Sequence, residues 1–183
     1  SRIRLSAAIE PGTDIVAVSA VLFEDATVVR DVGEVIARAA EVGAIPLVDA
    51  YHSLNVVPME WGAKGADAFV VAGGYKYAQM GEGLCFLRVP AGCTLRPADT
   101  GWFADFAHLA GPRDARIQYG DGGARFAGST FDPTPFYRAE AALDVFDRFG
   151  LDVPALRAIS TRQTTRILEG LEGAVGLEVA SPR

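Results

Sequence analysis

The chain has 183 residues, of which 50% are hydrophobic, and its 17 basic and 23 acidic residues give a net charge of −6. This size and composition predict one medium-sized domain with a buried core, and the acidic balance argues against binding to nucleic acid or to an anionic membrane surface. The apolar runs are too short to span a bilayer, so no membrane partner is predicted. Cys85 and Cys93 lack the spacing of metal ligands, which predicts two reduced thiols in a cytoplasmic protein.

The first half of the chain alternates between predicted strands and helices. Residues 14–23 form a valine-rich apolar run, which is typical of a strand buried on both faces. The helix predicted over residues 31–43 begins with a capping box at Asp31 and Glu34 and ends at Gly43. Further strands are predicted over residues 44–51, 66–71 and 83–90, and a short helix over residues 57–65. This order predicts an α/β fold with a central, mainly parallel sheet flanked by helices.

The second half begins with a different kind of sequence. Residues 91–130 are rich in Gly, Asp, Pro and aromatic residues without a regular period, which predicts a long loop region of the kind that carries function. Two helices are expected after it. Thr134 is predicted to cap the first helix and Pro135 to open it, and Asp152 is predicted to cap the second after a stop at Gly150.

Lysine is rare in this sequence: of the 17 basic residues, only Lys64 and Lys76 are lysines, and the others are arginines. Lys76 follows a predicted strand and the pair Gly73-Gly74, and Asp49 ends the preceding predicted strand. Ligands of open α/β sheets bind beyond the carboxyl ends of the strands, so the two side chains are expected to face one crevice. His52 is close enough in sequence to reach the same space.

Each of these residues also has an ordinary structural explanation. Asp49 could cap the next helix, His52 could be a structural histidine, and Lys76 could be a solvated surface residue. Together, however, an amine and a carboxylate on neighbouring strand ends suit pyridoxal phosphate, which needs a lysine for covalent attachment and a carboxylate facing its ring nitrogen. Hydroxyl groups that could hold the phosphate are available at Tyr75, Ser129 and Thr130.

Four motifs in order carry a more specific resemblance. The segment DAYHSLNVVPMEWGAKGADAFVVAGGYKYAQMGEG contains a D-x-x-H motif before V-P, then Y-K-Y and G-x-G, and it is followed by TGWFADF and RFAGST. This series resembles the cofactor-binding core of the class V aminotransferase superfamily of fold-type I pyridoxal phosphate enzymes, and within it kynureninase most. The resemblance implies the large domain of such an enzyme and pyridoxal 5′-phosphate as its cofactor.

The resemblance also implies roles for the residues around the lysine. Lys76 would be the catalytic Schiff-base lysine that also moves protons. Asp49 would pair with the ring nitrogen of the cofactor, His52 would lie beside the cofactor, and Tyr75 would bind its phosphate.

Three further cofactor-binding positions are implied outside that group. Ser19 matches a serine near the cofactor ring, and Trp102 matches a residue that contacts cofactor or substrate. Thr130 falls where the family's loop reaches the phosphate region, commonly from the neighbouring subunit. A homodimer with shared active sites is therefore expected, with residues 1–172 as part of the large domain and residues 173–183 as the start of a truncated small domain.

The activity that the resemblance implies is hydrolytic Cβ–Cγ cleavage of L-kynurenine to anthranilate and alanine. A class V aminotransferase or a carbon–sulfur lyase remains the enzymatic alternative. A cysteine desulfurase is disfavoured because Cys85 lies in a predicted strand and not in a mobile loop. A degenerate, non-catalytic partner subunit is the alternative of another class.

Overall fold

The computed structural model describes residues 5–112, 116–174, 176 and 178–180. Its regular elements alternate as the sequence predicts, with four strands and one helix before residue 90 and two long helices after residue 130. In chain order they are β1 (Ile15–Ser19), α1 (Val32–Val42), β2 (Ile45–Asp49), β3 (Phe69–Gly73), β4 (Cys85–Arg88), α2 (Thr134–Arg148) and α3 (Val153–Gly170). Short 3₁₀ helices span Leu5–Ala8, Ala63–Asp67, Trp102–His108 and Gly122–Phe126.

The four strands form one sheet in the order β1-β2-β3-β4. The first three strands are parallel, and β4 runs antiparallel to β3. In this register Ser19 lies opposite Asp49, and Asp49 lies opposite Val71, so the carboxyl ends of β1 and β2 coincide. The prediction of a mainly parallel sheet is confirmed.

The core lies between one face of the sheet and α1. Val48 and Val70 from the sheet meet Val32 and Ile36 from the helix, and all four side chains are buried. Helix α1 presents these residues because its apolar side chains recur at helical spacing. Gly43 ends the helix as predicted, since its φ of 78° is a left-handed conformation that favours glycine.

Several predicted boundaries are wrong. Strand β1 ends at Ser19 and not at residue 23, because the chain turns back and Val21 bridges Val28. β1 is also not buried on both faces: Ile15 is 58% exposed, since α1 covers only one side of the sheet within the described part of the chain. The helix predicted over residues 57–65 is replaced by the 3₁₀ helix Ala63–Asp67. Gly62 interrupts the predicted helix, because its φ of 69° and ψ of −168° lie outside the right-handed helical region.

Of the three predicted helix caps, one is confirmed and two are wrong. Asp152 caps α3 as predicted, and its Oδ1 accepts a hydrogen bond from the Ala155 N–H at 2.8 Å. Asp31 precedes α1 but its side chain makes no capping bond in the described structure, because its backbone (φ −99°, ψ 19°) is not extended. Thr134 is the first residue of α2 and not its cap; its N–H donates instead to Asp132 Oδ1 at 2.9 Å.

Helices α2 and α3 carry apolar side chains that are largely exposed. Phe136 and Leu143 are about half exposed, Ile167 is 59% exposed, and only Ala139 of α2 is buried. Within the described residues, no helix is long and apolar enough to cross a membrane. The division between residues 1–172 and 173–183 stays a prediction, and residues 1–4, 113–115, 175, 177 and 181–183 lie outside the described part.

Candidate functional site

Asp49 is held at the carboxyl end of β2 by partners on both of its oxygens. Ser19 Oγ, at the end of β1, donates to Asp49 Oδ2 at 3.2 Å, and the backbone N–H of Tyr51 donates to Oδ1 at 2.8 Å. The carboxylate is half-buried, so these two donors fix its direction where water reaches it only in part. The structure therefore joins two of the predicted site residues directly.

Lys76 lies in the turn after β3, and its amine contacts the imidazole of His52. The distance from Lys76 Nζ to His52 Nε2 is 2.5 Å, and both side chains are half-buried. Depending on which group holds the proton, the lysine ammonium donates to the ring nitrogen or the ring N–H donates to a neutral amine. The pair can thus transfer a proton between these two atoms.

Tyr75 and Tyr51 form an aromatic wall beside Gly73, the last residue of β3. Their ring centroids are 5.9 Å apart, and a Cβ placed on Gly73 would lie 2.6 Å from a ring carbon of each tyrosine. Glycine is therefore required here by close approach. Tyr75 is 40% exposed, and Lys76 Nζ lies 5.5 Å from the centroid of its ring.

The turn that carries Lys76 is bonded to the residue before β4 and to α2. The Gly74 N–H donates to Leu84 O and the Met80 N–H donates to Gly74 O, each at 2.8 Å. Arg138 of α2 donates through Nε to Met80 O at 2.8 Å and also donates to Glu82 O. Because the turn is bonded to two elements, the base of the Lys76 side chain has a defined position.

Trp102 and Thr130 lie in the loop region between β4 and α2. The segment around Trp102 is bonded to the segment before Thr130: the Phe103 N–H donates to Gly128 O at 3.0 Å. Trp102 is 45% exposed and Thr130 is exposed. Within the described residues, no hydrogen bond or ring contact joins either residue to Lys76, so the structure brings together five of the seven predicted site residues.

Three neighbours of the site were not predicted from the sequence. The ring of Phe23 lies 5.6 Å from that of His52, and Tyr51 contacts Asp49 and Tyr75 as described above. The Tyr51 hydroxyl also donates to Cys85 Sγ at 3.4 Å. This bond, with some burial and the nearby charges, raises the pKa of Tyr51 to about 12. The position of Tyr51 inside the D-x-x-H motif was the signal that could have identified it.

The assembled groups suit an organic cofactor better than a metal. Among the described residues, no group of three or more His, Cys, Asp or Glu side chains is arranged to hold a metal ion. An amine, an imidazole and a fixed carboxylate instead lie at neighbouring strand ends, as a lysine-attached cofactor with a basic ring nitrogen requires. Asp49, oriented by two hydrogen-bond donors, is the carboxylate that could pair with such a ring nitrogen.

Comparison with known proteins gives one relative by sequence and several by structure. Over 160 residues the chain is 31% identical to kynureninase from Pseudomonas fluorescens, covering 84% of this chain and 37% of that protein. The apo cysteine desulfurase from Thermococcus onnurineus NA1 superposes with a TM-score of 0.67 at 24% identity, covering 88% of this chain and 39% of the other. Serine palmitoyltransferase from Sphingomonas wittichii superposes with a TM-score of 0.56 at 17% identity, covering 96% and 40%. No family model matches the sequence.

These similarities bear on the fold and on the extent of the chain. The structural matches confirm the predicted fold, which is that of the large domain of fold-type I enzymes. The chain spans about two fifths of the length of each of these three relatives.

Proposed function

Because this chain is kynureninase-like in sequence and has the fold of a fold-type I large domain, we propose that it binds pyridoxal 5′-phosphate at Lys76 as part of an enzyme that acts on an amino acid. The observation that carries this proposal is the contact of Lys76 with His52 beside a carboxylate, Asp49, that is oriented by Ser19. A solvated surface lysine would not be expected to contact an imidazole next to an oriented carboxylate.

Each predicted residue has a task that its position supports. Lys76 would hold the cofactor through its amine, and Asp49 would face the ring nitrogen. Tyr75 would contribute its hydroxyl to the phosphate, and His52 would lie beside the ring. When bound, pyridoxal phosphate supplies an electron sink for the bond that breaks next to the amino group of the substrate.

His52 would control the proton on Lys76. A lysine amine attacks a carbonyl carbon only when it is neutral, and His52 Nε2 is 2.5 Å away to accept the proton that must leave Nζ. When its amine is free and neutral, Lys76 would remove and return protons as a general base. The His52–Lys76 contact thus serves attachment first and proton transfer later.

The specific reaction that we propose is the hydrolytic cleavage of L-kynurenine to anthranilate and alanine. The support for it is the similarity to kynureninase, while transamination or carbon–sulfur bond cleavage would use the same early proton transfers. We also propose a homodimer in which Trp102 and Thr130 reach the active site of the neighbouring subunit. This would explain why both residues are exposed and lie apart from Lys76 in a single chain.

A borohydride trapping experiment tests the proposed attachment. The protein is incubated with pyridoxal phosphate, its visible absorbance is recorded, and sodium borohydride is added before peptide mapping by mass spectrometry. The chain contains only two lysines, so Lys64, which is exposed and paired with Asp67 at 3.5 Å, is the internal control. We expect a visible band and a reduced adduct on Lys76 alone, and neither in Lys76→Arg. Equal labelling of the two lysines would refute the proposal.

Turnover assays then separate the candidate reactions. L-kynurenine and 3-hydroxykynurenine are compared with cysteine and with simple amino acids, and the products are identified by chromatography. Anthranilate and alanine would support the kynureninase reaction; sulfide or a keto acid would assign the lyase or aminotransferase instead. An adduct at Lys76 without turnover of any substrate by the dimer would favour the non-catalytic partner.

A further inference from the structure

We propose that Tyr51 is a positioning residue of the Lys76 site, which joins the ends of β2, β3 and β4 and so fixes Tyr75 and Lys76 relative to Asp49. The effect of Tyr51 on cofactor binding rests on the proposed function, whereas its contacts are those of the described structure. Tyr51 contacts neither the amine of Lys76 nor the reacting atoms in the described structure, so its effect must pass through its neighbours.

The first contact of Tyr51 is with the carboxylate. Its backbone N–H donates to Asp49 Oδ1 at 2.8 Å, two residues back along the chain. This is the turn geometry in which an aspartate side chain accepts from the main chain that follows it. The direction of Asp49 and the path of the chain leading to Tyr51 are consequently coupled.

The second contact is with the end of β3. The rings of Tyr51 and Tyr75 lie 5.9 Å apart at 58°, and the space between them and the Gly73 backbone is too small for a Cβ atom. Aromatic pairs in this range of distance attract one another beyond the area they bury. Because Tyr75 adjoins Lys76, a ring that restrains Tyr75 also restrains the turn that carries the lysine.

The third contact is with β4. The Tyr51 hydroxyl donates to Cys85 Sγ at 3.4 Å, and Cys85 is the residue that pairs with Gly73 in the antiparallel register. The ring is therefore held at its far end by the strand next to the one it covers. A tyrosine hydroxyl is protonated at neutral pH, so it is available there as the donor to Cys85.

Competitive labelling of the two lysines tests the positioning without cofactor. Trace acetic anhydride is added to the full chain, and the ratio of acetylated Lys76 to acetylated Lys64 is read by mass spectrometry. We expect Tyr51→Ala to change this ratio by about two- to tenfold, the factor that corresponds to losing roughly one net hydrogen-bond or ring interaction. Tyr51→Phe keeps the ring and should fall between Tyr51→Ala and the wild type. Tyr77→Phe, at the exposed tyrosine on the other side of Lys76, is the matched control.

A second control separates positioning from general loss of stability. Asp152→Ala removes the cap of the distant helix α3 and is expected to destabilise the protein without altering the labelling ratio. If Tyr51→Ala does not fold, as judged by circular dichroism, Tyr51→Phe alone decides the question. A ratio in the folded Tyr51 variants equal to that of Asp152→Ala would overturn the inference.

Cofactor titration distinguishes failure of this inference from failure of the proposed function. If the wild type attaches pyridoxal phosphate at Lys76, we expect Tyr51→Ala to weaken its affinity by about two- to tenfold. Attachment with equal affinity in both proteins would overturn the inference and leave the proposed function intact. If the wild type attaches none, the proposed function fails, and the labelling ratio alone supports or refutes the role of Tyr51.

Discussion

Replacing Gly73 by alanine tests the close packing at the end of β3. The added Cβ would lie 2.6 Å from ring carbons of Tyr51 and Tyr75, closer than any unstrained contact. Gly73 is buried, so the methyl group has no outward path, and one or both rings must move. Because Tyr75 is 40% exposed it can rotate away, whereas Tyr51 is held by Cys85 and by its own backbone bond.

The size of the effect follows from this asymmetry. Overfilling a packed site costs about 1–3 kcal/mol of the free energy of unfolding, and the mobility of Tyr75 places Gly73→Ala in the lower half of that range. With a urea m-value of roughly 1–3 kcal/mol per molar, the denaturation midpoint should fall by about 0.3–2 M while m stays constant. The displaced Tyr75 should also shift the Lys76 to Lys64 labelling ratio.

Gly170→Ala is the matched control for the same chemical change. It lies at the end of α3, and in the described structure no atom outside its chain neighbours and the nearby helix backbone would come within 4 Å of its new methyl group. Alanine is favoured over glycine in a helix by about 0.5–1 kcal/mol, so this variant should be as stable as the wild type or slightly more so. Equal midpoints for Gly73→Ala and Gly170→Ala would refute the packing inferred around Gly73. In a Tyr51→Ala background, the penalty for Gly73→Ala should shrink, because one of the two obstructing rings is gone.

Three further measurements probe other parts of the structure. Ser19→Ala removes one donor from Asp49 and should weaken pyridoxal phosphate binding by about two- to tenfold in an absorbance titration; unchanged affinity would show that this bond does not orient the carboxylate. Asp152→Ala should lower the free energy of unfolding by about 0.5–2 kcal/mol, whereas Asp31→Ala, at a residue with no capping bond in the described structure, should change it little in the same denaturation assay. The pKa of Tyr51 is raised from 10.0 to about 12 in the folded state, so its stabilising contribution is complete below pH 10 and is lost as the pH rises towards 12. A urea midpoint that falls equally over this window in Tyr51→Phe and in the wild type would contradict that assignment.

The core of the site could be predicted from the sequence because the first three strands are consecutive and parallel. Parallel strands joined in order place their carboxyl ends on one edge of the sheet, so Asp49 and the turn carrying Lys76 had to be neighbours. The apolar runs identified these strands, with boundaries that differ from the observed ones by one to four residues.

Other features depend on contacts that a single sequence does not specify. The capping role predicted for Asp31 was wrong because it depends on the backbone angles at one residue, while the spacing to Glu34 was as expected. The contact of Tyr51 with Cys85 requires β4 to return antiparallel to β3 in one register, which a run of apolar residues at 83–90 does not determine. Both features depend on backbone conformation and strand register, which the pattern of residue types does not determine.

The separation of Trp102 and Thr130 from Lys76 has the same physical origin and points to where the rest of the site should come from. Asp49, His52 and Lys76 meet through short connections within one sheet, whereas residues 91–130 form a region whose described contacts are mostly internal, such as the bond from Phe103 to Gly128. Because this region makes few bonds to the sheet, Trp102 and Thr130 are available to contact another subunit. In the proposed function the five-residue group would serve attachment and proton transfer, and the recognition of a substrate side chain would depend on groups that reach Lys76 from outside this sheet edge. A dimer that placed Trp102 of one subunit beside Lys76 of the other would meet that requirement, and quenching of tryptophan fluorescence by bound pyridoxal phosphate, lost in Trp102→Phe but not in Trp61→Phe, would reveal it.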